Sequence, residues 1–71
     1  MRVEQAYNLD IYPERIIMQA INDYRGICNI VANIQDSYAV CQFSHGKTDE
    51  RTIVLEFSNY LIELLNSRRP T

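Results

Sequence analysis

Two segments of alternating hydrophobicity, separated by only two residues, constrain the fold of this chain more than any other feature. Residues 27–35 and 38–44 carry apolar side chains at every second position, with Asp36 and Ser37 between them. A two-residue turn joins antiparallel strands, and here it pairs residues whose numbers sum to 73. The apolar pairs created are Ile34 with Ala39, Ala32 with Cys41, and Ile30 with Phe43. Turn length and hydrophobic parity therefore predict the same β-hairpin, although Asp-Ser, unlike Asp-Gly, also allows a slightly longer loop.

A helix is predicted over residues 13–25, before the hairpin. Pro13 suits a first helical turn, and Gly26 is typical of the left-handed residue that ends a helix. One face of this helix is apolar, formed by Ile16, Ile17, Ala20, Ile21 and Tyr24.

A second helix is predicted after the turn at residues 45–47. Thr48 is a candidate N-cap, and Arg68 and Arg69 precede Pro70, which stops the helix. From Ile53 onward the apolar residues recur at helical spacing, although residues 50–57 also resemble the beginning of a strand.

A further strand is predicted at residues 2–9, where Val3, Tyr7 and Leu9 share one parity. The element order is then β-α-β-β-α. We expect an α+β fold of two layers, with a three-stranded sheet and both helices on one face. The first strand can pair antiparallel beside the third strand, or parallel beside the second through a right-handed crossover, and the pattern does not distinguish these arrangements.

The length and charge of the chain exclude several classes of protein. Seventy-one residues make one domain, residues 1–71, and the net charge of -2 argues against binding nucleic acid. A DNA-binding alternative would use Arg15, Arg25, Lys47, Arg68 and Arg69. We expect no signal peptide and no membrane segment, and two cysteines without secretion signals favour a cytoplasmic protein with reduced thiols.

No residue pattern indicates catalysis, a metal site or a cofactor. Cys28 and Cys41 share a face of the hairpin but lie about 13 Å apart along it, too far for a disulfide. We expect both to be small core residues, and we expect His45 to be a solvated turn residue. Glu56 and Glu63 share a helix face and are best explained as its polar side. An enzyme is therefore the least favoured class.

Two apolar surfaces are predicted outside the core. Leu55 and Ile62 lie seven residues apart on the last helix and outside its main apolar arc, so they form a narrow second ridge. The uncovered face of the sheet also carries apolar residues, including Val31, Tyr38 and Val40. Aligned exposed apolar residues on so small a chain indicate contact with another molecule.

Two segments resemble a known family. Residues 11–20, Ile-Tyr-Pro-Glu-Arg-Ile-Ile-Met-Gln-Ala, precede a Cys-bearing strand, and residues 55–61, Leu-Glu-Phe-Ser-Asn-Tyr-Leu, run on to Leu65 and a basic end. Together they resemble the small D protein of the His-Xaa-Ser peptide-maturation systems (HxsD-like) over about residues 9–69. This resemblance implies a non-catalytic companion of radical S-adenosylmethionine enzymes that engages a peptide or an enzyme. It points to Glu56, Phe57 and Asn59, of which Phe57 is a predicted core residue.

The expected function is therefore binding of a protein or peptide, with strand addition to an open sheet edge as one mode. The alternative is a homodimeric structural or regulatory protein that binds no client.

Overall fold

The computed structural model describes residues 2–67 and has the predicted element order. The strands are β1 (Val3–Asn8), β2 (Asn29–Gln35) and β3 (Tyr38–Ser44), and the helices are α1 (Glu14–Asp23) and α2 (Glu50–Ser67). The fold is α+β, as predicted. Arg68, Arg69 and Pro70, which were expected to end the last helix, lie outside the described residues.

The hairpin has the predicted register. β2 and β3 are antiparallel, and Ile34 lies opposite Ala39, as the two-residue turn requires. Asp36 has a φ of 55°, whereas Ser37 does not have a positive φ. Only the first of the two central turn residues therefore has a positive φ. A type I′ turn differs, because it requires a positive φ at both central residues.

The structure resolves the position of the first strand. The sheet order is β1-β3-β2, and β1 pairs antiparallel with β3, so that Tyr7 lies opposite Ala39 and Gln5 opposite Cys41. The backbone N–H of Leu9 continues this ladder by donating to the carbonyl oxygen of Ser37 at 2.8 Å. The parallel alternative is wrong, and β3 is the central strand.

The helix before the hairpin ends earlier than predicted. α1 stops at Asp23, and Gly26 does not adopt a positive φ, so its predicted role as a left-handed cap is wrong. The chain instead leaves the helix through consecutive tight turns. The N–H groups of Ile27 and Cys28 both donate to the carbonyl of Tyr24, at 2.8 and 3.0 Å. These two residues are thus held in a turn, which explains why β2 begins at Asn29 and not at residue 27.

The last helix is continuous from Glu50, so the strand alternative for residues 50–57 is wrong. The carboxylate of Glu50 accepts a hydrogen bond from the N–H of Gly46 at 3.1 Å. This contact ties the start of α2 to the turn that follows β3.

One hydrophobic core lies between the sheet and the helices. Its aromatic centre is Phe57 on α2, whose ring lies 5.2 Å from that of Phe43, 5.3 Å from Tyr24 and 5.8 Å from Tyr7. The strand residues in the core all project from the same face of the sheet, so both helices cover that face. The twelve buried hydrophobic residues are Tyr7, Ile16, Ile17, Ala20, Cys28, Ile30, Ala39, Cys41, Phe43, Ile53, Phe57 and Leu61.

Candidate binding surfaces

The face of the sheet opposite the helices is not covered by any element of residues 2–67 and carries a cluster of neighbouring apolar residues. Val40, on the central strand, lies opposite Ala6 of β1, and Val31 of β2 is its diagonal neighbour. Val31 is 48% exposed and Tyr38 is 46% exposed. We call this cluster, Ala6, Val31, Tyr38 and Val40, the open-face patch. The surrounding strand positions are polar, namely Glu4, Asn8, Asn33, Gln35 and Gln42.

The ridge on the last helix is also exposed. Leu55 is 67% exposed and Ile62 is 46% exposed. They lie two helical turns apart, about 10 Å along the axis, on the side of α2 away from the core residues Ile53 and Phe57. We call Leu55 and Ile62 the helix ridge.

The structure does not bring all the predicted site residues together. The open-face patch and the helix ridge lie on opposite sides of the sheet, so one small ligand cannot contact both. Glu56 and Asn59 are both exposed on α2. Asn59 lies on the ridge side of α2, whereas Glu56 faces α1. There the pKa of Tyr24 is raised by burial and, to a smaller extent, by the negative charge of Glu56. Glu56 therefore does not lie with Asn59 and the helix ridge on one binding surface.

Helices α1 and α2 are joined by a polar contact next to Glu56. The hydroxyl of Tyr60 donates to Asp23 at the end of α1, with the two oxygens 2.5 Å apart. Tyr24 and Tyr60 also pack ring against ring, with centroids 5.5 Å apart. This polar side of α2 is best explained as the seam between the helices.

The two edges of the sheet differ in their protection. β1 carries Glu4, whose carboxylate accepts a hydrogen bond from Gln42 at 2.8 Å. β2 contains no charged residue and no proline, and Ile34 at its edge is 47% exposed. Charges and prolines are the usual devices that stop an edge strand from pairing with another chain. The β2 edge therefore has no charge that opposes strand addition, whereas the β1 strand carries the Glu4 carboxylate.

The candidate nucleophiles lie in the core, where they are poorly placed for chemistry. Cys28 and Cys41 are free thiols and both are buried, as predicted. Burial raises the pKa of both thiols, that of Cys41 to about 11, which disfavours the reactive thiolate. The Cys28 thiol donates to the carbonyl of Ser44 at 3.2 Å. Cys28 and Cys41 are therefore small residues of the core.

His45 is an exposed turn residue, as expected, with a φ of 53°. Its Nδ1 lies 3.3 Å from the Ser44 hydroxyl, and it borders an open depression of about 460 Å³ together with Arg2 and Glu50. The Glu50 carboxylate is already engaged by the Gly46 N–H. The depression therefore presents solvated polar groups, without a buried acid or base at its floor.

Within residues 2–67 there is no cluster of three or more His, Cys, Asp or Glu side chains that could hold a metal ion. Neither of the two described helices is long and apolar enough to cross a membrane.

Comparisons with protein-family models, with curated proteins and with solved structures each find no match to this chain.

One residue of the open-face patch, Ala6, is missing from the sequence-based prediction. Its place in the patch depends on β1 pairing with β3, and the sequence left that pairing undecided. Ile34 was predicted on the apolar face of the hairpin, where it does lie, but it is half exposed because β2 is an edge strand. No sequence signal identified its exposure, because that depends on which strand lies at the edge of the sheet.

Proposed function

We propose that this protein is a non-catalytic binding module for a protein or peptide, with the open-face patch as its contact surface. The observation that carries the proposal is that the two-layer fold leaves this patch uncovered. Val40 lies directly opposite Ala6 and diagonal to Val31, so the apolar residues of the patch are neighbours in the sheet. A contiguous apolar surface with a polar rim is typical of protein-binding sites.

The helix ridge supports the same class of function as a second contact. Leu55 and Ile62 are spaced so that a partner helix or strand could contact both at once. Because the two surfaces lie on opposite faces, a variant of one leaves the other intact.

Two observations support a module without catalytic activity. Cys28 and Cys41 lie in the core, and the pKa of each thiol is raised. His45 is exposed and lies beside no buried acid or base. The proposal includes no cofactor and no metal, and the net charge of -2 disfavours nucleic acid as a partner.

The resemblance to HxsD-like proteins suggests a particular partner class. A companion of a peptide-maturation enzyme would bind the precursor peptide or the enzyme in the cytoplasm. The partner-facing residues would then be in the open-face patch or the helix ridge. Phe57, one of the residues carried over from the resemblance, is fully buried and supports the fold.

The test uses a fluorescently labelled peptide of His-Xaa-Ser repeats and measures its anisotropy against increasing protein concentration. Two variants separate the surfaces: Tyr38→Ser/Val40→Lys alters the open face through the central strand, and Leu55→Glu/Ile62→Glu alters the helix ridge. We expect saturable binding by the wild-type chain and at least tenfold weaker binding by the open-face variant, with folding checked by circular dichroism.

Saturable binding that both folded variants retain would contradict the assignment of these surfaces. No binding by the wild-type chain would count against the peptide as partner, and the same titration with the purified radical enzyme then tests the other member of the class.

A second candidate function is a homodimeric structural or regulatory protein without a client. The uncharged β2 edge favours it, because a second copy can pair there. A dimer in light scattering, combined with no binding of peptide or enzyme, would favour this candidate over the first.

A further inference from the structure

The backbone groups at the β2 edge follow from the register of the sheet. In a hairpin with a two-residue turn, Gln35 and Tyr38 form the first hydrogen-bonded pair, and such pairs recur at every second position. The N–H and C=O groups of Asn33 and Val31 therefore also point toward β3. Those of the alternate residues, Ile30, Ala32 and Ile34, point away from the sheet. None of these three has a backbone partner outside its own sheet among residues 2–67.

These three residues are symmetric about Ala32. An antiparallel copy of β2 centred on Ala32 places Ile30 opposite Ile34, Ala32 opposite Ala32, and Ile34 opposite Ile30. Each of the three positions presents one outward donor and one outward acceptor, so the ladder between the two copies contains six hydrogen bonds. The flanking positions pair amide with amide, because Asn29 lies opposite Gln35.

The side chains match in the same register. Ile34, which is 47% exposed, meets Ile30 of the second copy, which is 9% exposed. This contact lies on the helix-covered face, because Ile30 is part of the core. In this register the half-exposed Ile34 of one chain would lie beside Ile30 of the other, most of which its own core already buries.

The charges at the ends of the strand are also complementary. The C-terminal end of β2 carries the acidic Asp36. The N-terminal end lies beside Lys47, whose backbone N–H donates to Ile27 at 3.0 Å, and Arg25 precedes it in the chain. Antiparallel pairing brings Asp36 of each copy toward Lys47 and Arg25 of the other, and all three are exposed. Glu50, whose charge also acts on Cys28 at that end, is engaged by the Gly46 N–H.

We propose that two copies of this chain pair through their β2 edges, antiparallel and centred on Ala32, to form a continuous six-stranded sheet. The two-fold axis runs perpendicular to the sheet, so all four helices lie on one face and both open-face patches lie on the other. The strand order across the dimer is β1-β3-β2-β2-β3-β1. This inference concerns how two copies associate, and it holds whether or not the open face binds a peptide.

A cysteine placed at the centre of the pairing tests the register directly. In an antiparallel hydrogen-bonded pair the Cα atoms are about 5.5 Å apart, within the range that a disulfide can bridge. Ala32→Cys is therefore expected to give a covalent dimer under mild oxidation, seen on a non-reducing gel. Asn33→Cys is the matched control, because its two copies are offset by two residues and their Cα atoms lie about 8 Å apart. Cross-linking of Asn33→Cys as fast as Ala32→Cys would overturn the register.

A pair of proline variants tests the edge. The N–H of Ala32 points outward, so Ala32→Pro removes no hydrogen bond within one chain but interrupts the ladder between two. Ala6→Pro is the same change at an outward position of the β1 edge. Light scattering is expected to give twice the 8.3 kDa chain mass for wild type and for Ala6→Pro, and the single-chain mass for Ala32→Pro.

A monomeric wild-type chain would overturn the proposal, as would a dimer that Ala32→Pro leaves intact. If Ala32→Pro does not fold, Ile34→Lys replaces it, because that side chain is half exposed and its charge would meet Ile30 of the partner. Peptide binding is read separately by anisotropy, so failure of the dimer and failure of the open-face proposal are distinguishable.

Discussion

The hydroxyl of Tyr7 on β1 lies 2.7 Å from the hydroxyl of Ser58 on α2, joining residues 51 positions apart in the chain. Ser58 donates its own proton to the carbonyl of Val54 at 2.8 Å, so Tyr7 is the donor and Ser58 the acceptor. The contact links an edge strand to the long helix at the margin of the core.

Removing the Tyr7 hydroxyl tests this link. Tyr7→Phe is expected to lower the free energy of unfolding by about 0.5–1.5 kcal/mol, because one partly buried hydrogen bond is lost while the ring stays in place. Urea denaturation with an unchanged m-value measures the effect. Tyr12→Phe is the control, since the Tyr12 ring packs edge-on against Tyr7 but its hydroxyl makes no hydrogen bond within residues 2–67. An equal loss in both variants would contradict a role for the Tyr7 hydroxyl.

Stability is expected to fall in alkaline solution. Burial raises the pKa of Cys41 from 9.0 to about 11 and that of Tyr7 from 10.0 to about 12. A group whose pKa is higher in the folded state stabilises that state fully below its unfolded pKa, and the contribution disappears as pH rises through the folded pKa. The contribution of these two groups to the free energy of unfolding should therefore be constant up to about pH 9 and decrease between pH 9 and 12. Denaturant midpoints at increasing pH measure this, and Tyr7→Phe should lose less stability than wild type above pH 10.

The hairpin turn offers a stabilising substitution. Asp36 has a φ of 55°, a region that glycine adopts without steric cost. Asp36→Gly is expected to raise the thermal midpoint, with a gain of about 0.5–1 kcal/mol. Ser37 does not have a positive φ, so Ser37→Gly should instead lower stability slightly through the entropy of the unfolded chain. A gain from Ser37→Gly comparable to that from Asp36→Gly would contradict this explanation.

Replacing each of the two glycines by alanine should change the stability of the protein by different amounts. A Cβ on Gly46 would overlap Cδ1 of Ile53 and lie 3.1 Å from the carbonyl oxygen of Thr48, whereas a Cβ on Gly26 would meet nothing within 4 Å among the described residues. Ile53 is fully buried, so it can move only by disturbing the core. Gly46→Ala is therefore expected to destabilise the protein by about 1–3 kcal/mol, and Gly26→Ala to be neutral or slightly stabilising. Calorimetry of both variants measures the difference, and equal midpoints would refute it.

The hairpin was predictable residue by residue because two independent constraints, the turn length and the parity of Ile30 and Phe43, required the same register. The place of β1 was not predictable, because the parity of Val3 and Tyr7 is compatible with either neighbour in the sheet. The end of α1 was mispredicted because Gly26 is typical of a helix cap, while the backbone here closes on Tyr24 instead.

The exposure of Leu55 and Ile62 followed from helical geometry alone, since their angle from the core arc is fixed by their positions in the helix. The extent of the open-face patch could not be predicted, because Ala6 joins it only through the strand order. The exposure of Ile34 depended on the same information. Pattern identifies which face a side chain occupies, whereas its burial depends on what lies beside the strand.

The central place of β3 has a consequence for how the chain acquires its structure during synthesis. Of the three described strands β1 is synthesised first, yet the strand it pairs with, β3, is the last of the three to be made. More than thirty residues separate Asn8 from Ser44, so the N-terminal strand emerges without a pairing partner and must wait until β3 follows it. Until then Tyr7 has no strand beside it, so its side chain takes its place in the core only after β3 has been made.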